Sequence, residues 1–226
     1  MNISVVIPVF HEGALINEAI SRLGNLPYKG TIEIIVVDGS TEAETFKAIT
    51  NRNVKCLQAP KGRAKQMNAG TAAACGDIVL FLHVDTELPE DGLKRISRTM
   101  ADKQLVAGAF DLGIADKNLV FRIIERVASL RSRLTRIPYG DQAIFFKRSY
   151  FLQIGGYNEL PIMEDVDLMR RVKKKGDRIS FVDKKVLTSS RRLRKEGVVF
   201  CTMRNWTIMF LYLLGVSPER LVKWYV

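Results

Sequence analysis

The residues best suited to chemistry in this sequence are carboxylates, one imidazole and several arginines, most of them placed just after apolar runs. His83 and Asp85 follow the run Ile78-Val79-Leu80-Phe81-Leu82 within 81-FLHVDTELPED-91. A buried strand that stops at a small polar cluster delivers ligand-type side chains to a sheet edge. One carboxylate helped by water and a diphosphate suffices for Mg²⁺ or Mn²⁺, hard ions that prefer oxygen and leave positions open for phosphate. An imidazole at His83 suits Mn²⁺ better than Mg²⁺. The competing reading is a polar turn in which Glu87 caps the helix after Pro89.

Asp38 ends the apolar part of 34-IIVVDGST-41. A carboxylate there either accepts hydrogen bonds from a ribose or a base edge or belongs to a cap, with Thr41 and Glu44 spaced as a capping box. A third acidic cluster lies in 161-PIMEDVDLMRR-171. Acids at a helix start meet the positive end of its dipole. Helical geometry puts Glu164 and Asp167 on one face and turns Asp165 about 100° away. One carboxylate aimed into a pocket is a candidate general base, and Asp167 is spaced to pair with Arg170 or Arg171. Lys61, Arg63, Arg191 and Arg192 are candidate phosphate ligands, or else charges on a solvated face.

The elements that must position these groups alternate regularly in the first half. Strand-like 3-ISVVIPVF-10, 32-IEIIVVDGS-40, 54-VKCLQ-58 and 77-DIVLFLHVD-85 are separated by helical patterns at 14–23, 42–49 and 64–74. This order predicts an α/β fold with a mostly parallel central sheet and helices on both faces, its ligands bound outside the carboxyl ends of the strands. The second half is less regular: a helix at 89–101, strand-like 105–114, an amphipathic stretch at 118–134, strand-like 142–148 and 179–183, and a helix from about 197 to 214. We expect a single domain, with a nucleotide-donor half at 1–88, an acceptor and catalytic half at 89–195 and a helical segment at 196–226.

Composition narrows the function. The 226 residues carry a net charge of +11. Much of that excess lies late, from Arg170 to Lys195, and fits a solvated surface, anionic lipid or phosphorylated substrates. No helix-turn-helix, zinc-finger or aromatic RNA-binding signature accompanies it, so nucleic acid is not expected as a partner. Cys56, Cys75 and Cys201 form no C-x-x-C pair, which points to a reducing, cytoplasmic setting without a disulfide framework. The N-terminus reads as a strand and not a signal peptide. The apolar run 206-WTIMFLYLLGV-216 is too short to span a bilayer.

Together, 3-ISVVIPVFHE-12, 34-IIVVDGST-41, 61-KGRAKQMNAG-70, 78-IVLFLHVDTELP-89, 153-QIGGYNELPIMEDVDLMRR-171 and Arg191-Arg192 resemble, in order, the motifs of inverting nucleotide-sugar transferases of glycosyltransferase family 2. The stretches FLHVDT, YGDQAIF and MEDVDL resemble most a small bacterial subgroup. The resemblance implies a GT-A fold with a Rossmann-like nucleotide-binding half. It also implies that Pro8 and Glu12 shape the loop under the nucleotide, that Asp38 binds the base, usually uracil, and that Asp85 is the last acid of the D-x-D metal motif. Asp165, beside Glu164, matches the catalytic base, and Asp141 is a reserve base. His83 departs from the pattern, standing where the family has the first acid of the motif.

The expected partners are therefore a nucleotide-diphosphate sugar, a divalent metal and an unknown acceptor, which a lipid link would suit. The basic segment 184–195 and the apolar helix after it also suit peripheral contact with the inner face of a membrane, or a homo-oligomer. Two other functions compete. A noncatalytic membrane-surface or scaffold protein would use the same basic and apolar features. A sugar nucleotidyltransferase would open with a glycine-rich basic loop, which Pro8-Val9-Phe10-His11-Glu12 is not, and a missing G-x-S-x-G argues against hydrolase chemistry.

Overall fold

All seven residues of β1 (Ile3–Val9) are buried, which puts this strand at the centre of a sheet covered on both faces. The computed structural model describes residues 1–225. From β1 the chain runs through α1 (Gly13–Gly24), β2 (Ile32–Asp38), α2 (Glu44–Ala48), β3 (Lys55–Gln58), α3 (Arg63–Ala73) and β4 (Ile78–Phe81). These four strands pair in parallel in the order β3-β2-β1-β4. The chain moves outward from β1 to β3 and then returns to the far side of β1. The strand order thus reverses between β1 and β4, where a crevice opens at the carboxyl ends.

The second half continues the same sheet. It adds β5 (Thr86–Glu87), α4 (Gly92–Met100), β6 (Leu105–Ile114), α5 (Leu119–Thr135), a 3₁₀ turn (Gly140–Gln142), β7 (Phe145–Lys147) and α6 (Arg148–Gln153). Then follow α7 (Glu164–Lys174), β8 (Arg178–Thr188), α8 (Arg191–Glu196), α9 (Val198–Leu213) and α10 (Pro218–Leu221). β7 joins β4 to β6 with antiparallel pairing on both sides, β6 and β8 are parallel, and β5 closes the edge antiparallel to β8. The sheet is therefore parallel in its first half and mixed in its second.

Alternation along β1 divides the core into two layers. Ile3, Val5, Ile7 and Val9 pack with Ile16, Ile20 and Leu23 of α1 and Leu93 and Ile96 of α4. Val6 faces the other layer, with Met67 of α3, Phe151 of α6 and Leu168, Met169 and Val172 of α7. Close approach there requires a glycine: a Cβ on Gly70 of α3 would lie 2.4 Å from Val6 Cγ1.

Three differences from the sequence-based expectation bear on the site. β4 stops at Phe81, so His83 and Asp85 stand in a loop beyond the strand and not on it. β8 continues to Thr188, because pairing with β6 carries the polar stretch Lys184-Lys185 along a ladder that periodicity alone does not reveal. Finally, α8 forms across the basic run after β8. No helix among the described residues is long and apolar enough to cross a membrane.

Candidate active site

The crevice floor is built from the ends of β1 and β2. Gln66 of α3 donates from Nε2 to the carbonyls of Val9 and Val37, each at 2.7 Å, and so ties the two strand ends together. Asp38 is fully buried. Its carboxylate accepts from the Ser40 amide at 2.8 Å and the Thr45 amide at 3.2 Å, which folds the β2–α2 loop back on the strand. The Thr41–Glu44 capping box does not form; Ala43 occupies the cap position of α2, in a left-handed conformation. Glu12, before α1, is pushed above the ordinary carboxylate range by burial, with Arg191 opposing and Asp85 adding to the shift. Pro8 borders a small cavity of about 40 Å³ beneath the crevice.

His83 and Asp85 follow β4 and line a cleft of about 280 Å³ with Arg63, Asp141, Glu164, Asp165 and Arg192. Burial and the nearby Arg63 charge hold His83 far below its usual value, at about 3, so its imidazole is neutral at pH 7. Asp85 keeps a partly exposed carboxylate with Arg191 Nη2 3.9 Å away. A neutral imidazole and a carboxylate facing one cleft fit a divalent ion that draws its remaining ligands from a diphosphate. No preformed cage exists, since among the described residues no group of three His, Cys, Asp or Glu side chains gathers to hold a metal.

The 3₁₀ turn and the start of α7 line the same cleft. Gln142 is buried and anchors the turn, its Oε1 accepting from Ser132 Oγ at 2.6 Å and its Nε2 donating to the Phe110 carbonyl at 3.0 Å. Asp165 accepts from the Gly140 amide at 2.6 Å through Oδ2 and from the Val166 amide at 2.7 Å through Oδ1. Burial raises its pKa against the pull of those two amides and of Arg63 and Arg131. Burial and the Asp165 charge lift Glu164 to about 7. Asp141 is lifted to about 6, first by burial, then by Asp165, with Arg131 and Arg63 opposing.

Helical geometry over 161–171 suggested that Glu164 and Asp165 point to different places, yet both line the cleft. They are the first two residues of α7, and a helix that meets a cleft end-on presents its whole first turn to it. Asp167 instead pairs with Arg171 Nε at 3.0 Å and accepts from Asn158. Beneath them lies Tyr157, whose amide and carbonyl are both held by the Asn68 side chain. Gly155 and Gly156 before it have φ +86° and +63°, and a Cβ on Gly156 would stand 2.6 Å from Asn68 Oδ1, which accounts for the glycine pair.

The basic candidates separate. Arg63 and Arg192 line the cleft, while Arg191 stands beside Asp85. Lys61 sits with its Nζ 4.2 Å from the Phe10 ring centroid and outside the residues that line the cleft. Several lining or supporting residues carry no local sequence signal. Tyr225 receives hydrogen bonds from Arg192 Nη1 to its hydroxyl at 2.6 Å and from Nη2 to its carbonyl at 3.2 Å. Arg204 lies 5.3 Å from the same ring. Arg131 stacks on Tyr139 at 3.3 Å. Only Gln66 offered a hint, four residues before Gly70 on the sheet-facing side of α3.

Residues 4–156 match the sequence model of the family described as Glycosyl transferase family 2. A probable glycosyltransferase of Bacillus subtilis, YdaM, is 26% identical over 204 residues, covering 79% of this chain and 48% of that protein. Among solved structures, Staphylococcus aureus TarS 1–349 in complex with UDP-GlcNAc has a TM-score of 0.64 at 16% identity, covering 84% of this chain and 58% of that one. A Pyrobaculum calidifontis mannosyltransferase, in complex with GDP-Man and Mn²⁺, has a TM-score of 0.62 at 20% identity, covering 83% and 56%. The chain thus spans about half the length of the curated relative and rather more of the solved structures; the structural likeness establishes a shared GT-A fold.

Proposed function

The chain belongs to glycosyl transferase family 2, and from that premise we propose that it transfers a sugar, with inversion, from a nucleotide-diphosphate donor to an acceptor hydroxyl. The observation that carries this reading is the convergence of Asp85, His83, Arg63 and Arg192 with the Asp165–Glu164–Asp141 carboxylates on one cleft at the strand-order reversal. Cations and metal-type ligands line the same cleft as carboxylates with raised pKa values. Those are the two sets of groups that a leaving diphosphate and a general base require.

In this reading residues 1–88 hold the donor, 89–195 supply the base and the acceptor contacts, and 196–226 form one wall. The β1–α1 loop, from Pro8 to Glu12, and the Asp38-organised loop after β2 shape the nucleoside pocket, with Lys61 at its outer edge. Asp85 and His83 would hold Mn²⁺ or Mg²⁺, which would neutralise charge on the leaving diphosphate when bound. Arg63, Arg191 and Arg192 provide fixed positive charge for the same oxygens. Asp165 takes the proton from the acceptor hydroxyl as its oxygen attacks the sugar carbon from the face opposite the leaving group. The bond to the diphosphate oxygen breaks in the same step, through an oxocarbenium-like state, and the configuration inverts. Both Asp165 oxygens are already held by amides, which fixes their direction but leaves lone pairs for the acceptor.

A UDP-sugar donor is favoured by the TarS structure named above, which holds UDP-GlcNAc. The test is calorimetric titration with UDP and GDP, with and without Mn²⁺. Metal-strengthened binding of one nucleotide that Asp85→Ala abolishes supports the reading. No binding of either nucleotide by the folded chain would overturn it.

A further inference from the structure

Two helices of this chain turn apolar stripes outward. On α5, Leu119, Ile123, Val127, Leu130 and Leu134 are between 45% and 77% exposed. They recur at helical spacing on the side opposite Phe121, Glu125, Ser129 and Ser132, which bury against the domain. On α9, Val199, Met203, Trp206, Phe210 and Leu213 are between 57% and 70% exposed. They lie opposite Cys201 and Ile208, the buried face of that helix. The helices are neighbours: Leu193 and Val198, at the start of the α8–α9 segment, pack against the same Leu112–Ile114–Phe121 cluster that seats α5.

Scattered exposed leucines need no explanation, but two continuous stripes on adjoining helices do. Their flanks are basic. Around α5, Lys117 and Arg126 are exposed, Arg122 and Lys185 share the fully buried Glu125, Arg133 pairs with Asp111, and Arg131 stacks on Tyr139. Just before α9, Arg191, Arg194 and Lys195 are exposed, Arg194 pairing with Asp116, whereas Arg192 and Arg204 turn to the cleft and pair with Glu196. Glu125 is the one acid within α5 and α9 has none, so neither outward face carries a carboxylate. Two tryptophans, Trp206 on the α9 stripe and Trp224 near the C-terminus, are both exposed.

We propose that the α5 and α9 stripes form one docking surface for an anionic lipid bilayer. An apolar helix face bordered by arginines and lysines lies in the headgroup region, with its side chains in the acyl boundary and its cations at phosphates. Charge argues against a second copy of this chain as the occupant. A two-fold contact through either stripe would set basic flank against basic flank, whereas anionic headgroups neutralise both. The stripes are also convex ridges, which a bilayer accepts without a matching groove. The inward face of α9 contributes Cys201, Arg204, Asn205 and Ile208 to the candidate cleft. Docking would therefore bring that cleft to within about one helix diameter, roughly 10 Å, of the lipid. The surface does not depend on the transfer reading, because it is argued from other residues.

The experiment is cosedimentation of the purified chain with vesicles of phosphatidylcholine alone and of phosphatidylcholine containing phosphatidylglycerol. Binding to the anionic vesicles, weakened by salt, is expected. Ile123→Glu with Leu130→Glu, and separately Met203→Glu with Phe210→Glu, should each reduce it about tenfold or more. All four residues are exposed, and retained circular dichroism shows that the variants fold. Independently of any variant, a blue shift of tryptophan fluorescence is expected when the unaltered chain meets anionic vesicles. Absence of binding and of the blue shift overturns the proposal, as does equal binding to neutral vesicles. A dimer in sedimentation equilibrium that the same variants dissolve, without lipid binding, overturns it in favour of a second copy.

Discussion

The amide of Gly140 donates to Asp165 Oδ2 at 2.6 Å, joining the 3₁₀ turn to the start of α7 across 25 residues of chain. This bond aims one carboxylate of a three-carboxylate wall. It leads to the first prediction: Asp165→Asn keeps the size of the side chain and an oxygen for Gly140, but removes the proton acceptor. Turnover should fall by about 10²–10⁴, the usual worth of a general base, while the calorimetric affinity for the donor nucleotide stays within about twofold. Normal turnover by this variant would transfer the base assignment to Asp141 or Glu164.

The pH profile should carry the same signature. Burial raises Asp165, and burial with the Asp165 charge raises Glu164 to about 7. A base works only when ionised, so activity is absent below the raised pKa and gained as pH climbs through it. The acid limb of kcat/KM should therefore lie well above the value of about 4 expected of an ordinary Asp or Glu. Glu164→Gln removes the neighbouring charge and should move the limb to lower pH; because the two groups titrate together, the limb belongs to the pair. A limb near pH 4 in the unaltered chain would show that no buried carboxylate limits the reaction.

Gly140 allows no side chain without moving the site. A Cβ there would stand 3.1 Å from His83 Nε2 and 3.6 Å from Asp165 Oδ2. Gly140→Ala should displace His83 by a few tenths of an ångström, with Asp165 left in ordinary contact, enough to cost catalysis more than stability. We expect kcat to drop at least about tenfold with a thermal midpoint lowered by only a few degrees. Unchanged kcat would mean that His83 and the turn have room to give.

Tyr225 holds the cation that a diphosphate would need. Arg192 donates twice to it, and the guanidinium lies 4.1 Å from its ring centroid. Diphosphate binding must break or share these contacts. Tyr225→Ala should accordingly tighten nucleotide binding about three- to tenfold in calorimetry, the worth of a partly exposed cation–π contact and one hydrogen bond. Weaker binding would instead show that Tyr225 orients Arg192 for the ligand.

The sequence made the first half of the fold legible because its signals are local. Continuous apolar runs mark the parallel strands, and parallel strands place whatever follows them, Asp38 or His83 and Asp85, at one edge. The rest of the candidate cleft was only partly legible. The adjacent acids Glu164 and Asp165 were visible, but their joint position depends on how α7 meets the cleft, a tertiary fact. Tyr225 and Arg204 come from the C-terminal segment, where neither periodicity nor spacing records a fold back onto strands 140 residues or so earlier in the chain. The polar second half of β8 was hidden for the same reason, since its strand character comes from pairing with β6 and not from its own residues.

Gln66 gives the last prediction, because it connects fold and site through one side chain. Its amide nitrogen reaches the carbonyls of Val9 and Val37 at the ends of adjacent parallel strands, and Gly39 leaves it room, with an ideal Cβ there falling 3.0 Å from the amide. Gln66→Leu fills similar volume but removes that donor from both carbonyls; Val9 still accepts from the Gly39 amide at 3.0 Å, so the main cost is the lost partner of the Val37 carbonyl, about 1–3 kcal/mol. Denaturant unfolding should show a destabilisation of about 1–3 kcal/mol with an unchanged slope. The loops that follow β1 and β2 carry Glu12 and the Asp38 turn, so nucleotide affinity should fall as well, even under conditions where the variant is fully folded. Gln66→Glu separates the two effects: an ionised carboxylate offers no donor to the carbonyls and adds repulsion, so it should be worse than leucine at neutral pH and should recover partly at low pH, where the protonated acid can donate once. Equal stability of all three chains would show that the strand ends are held by the ladder alone.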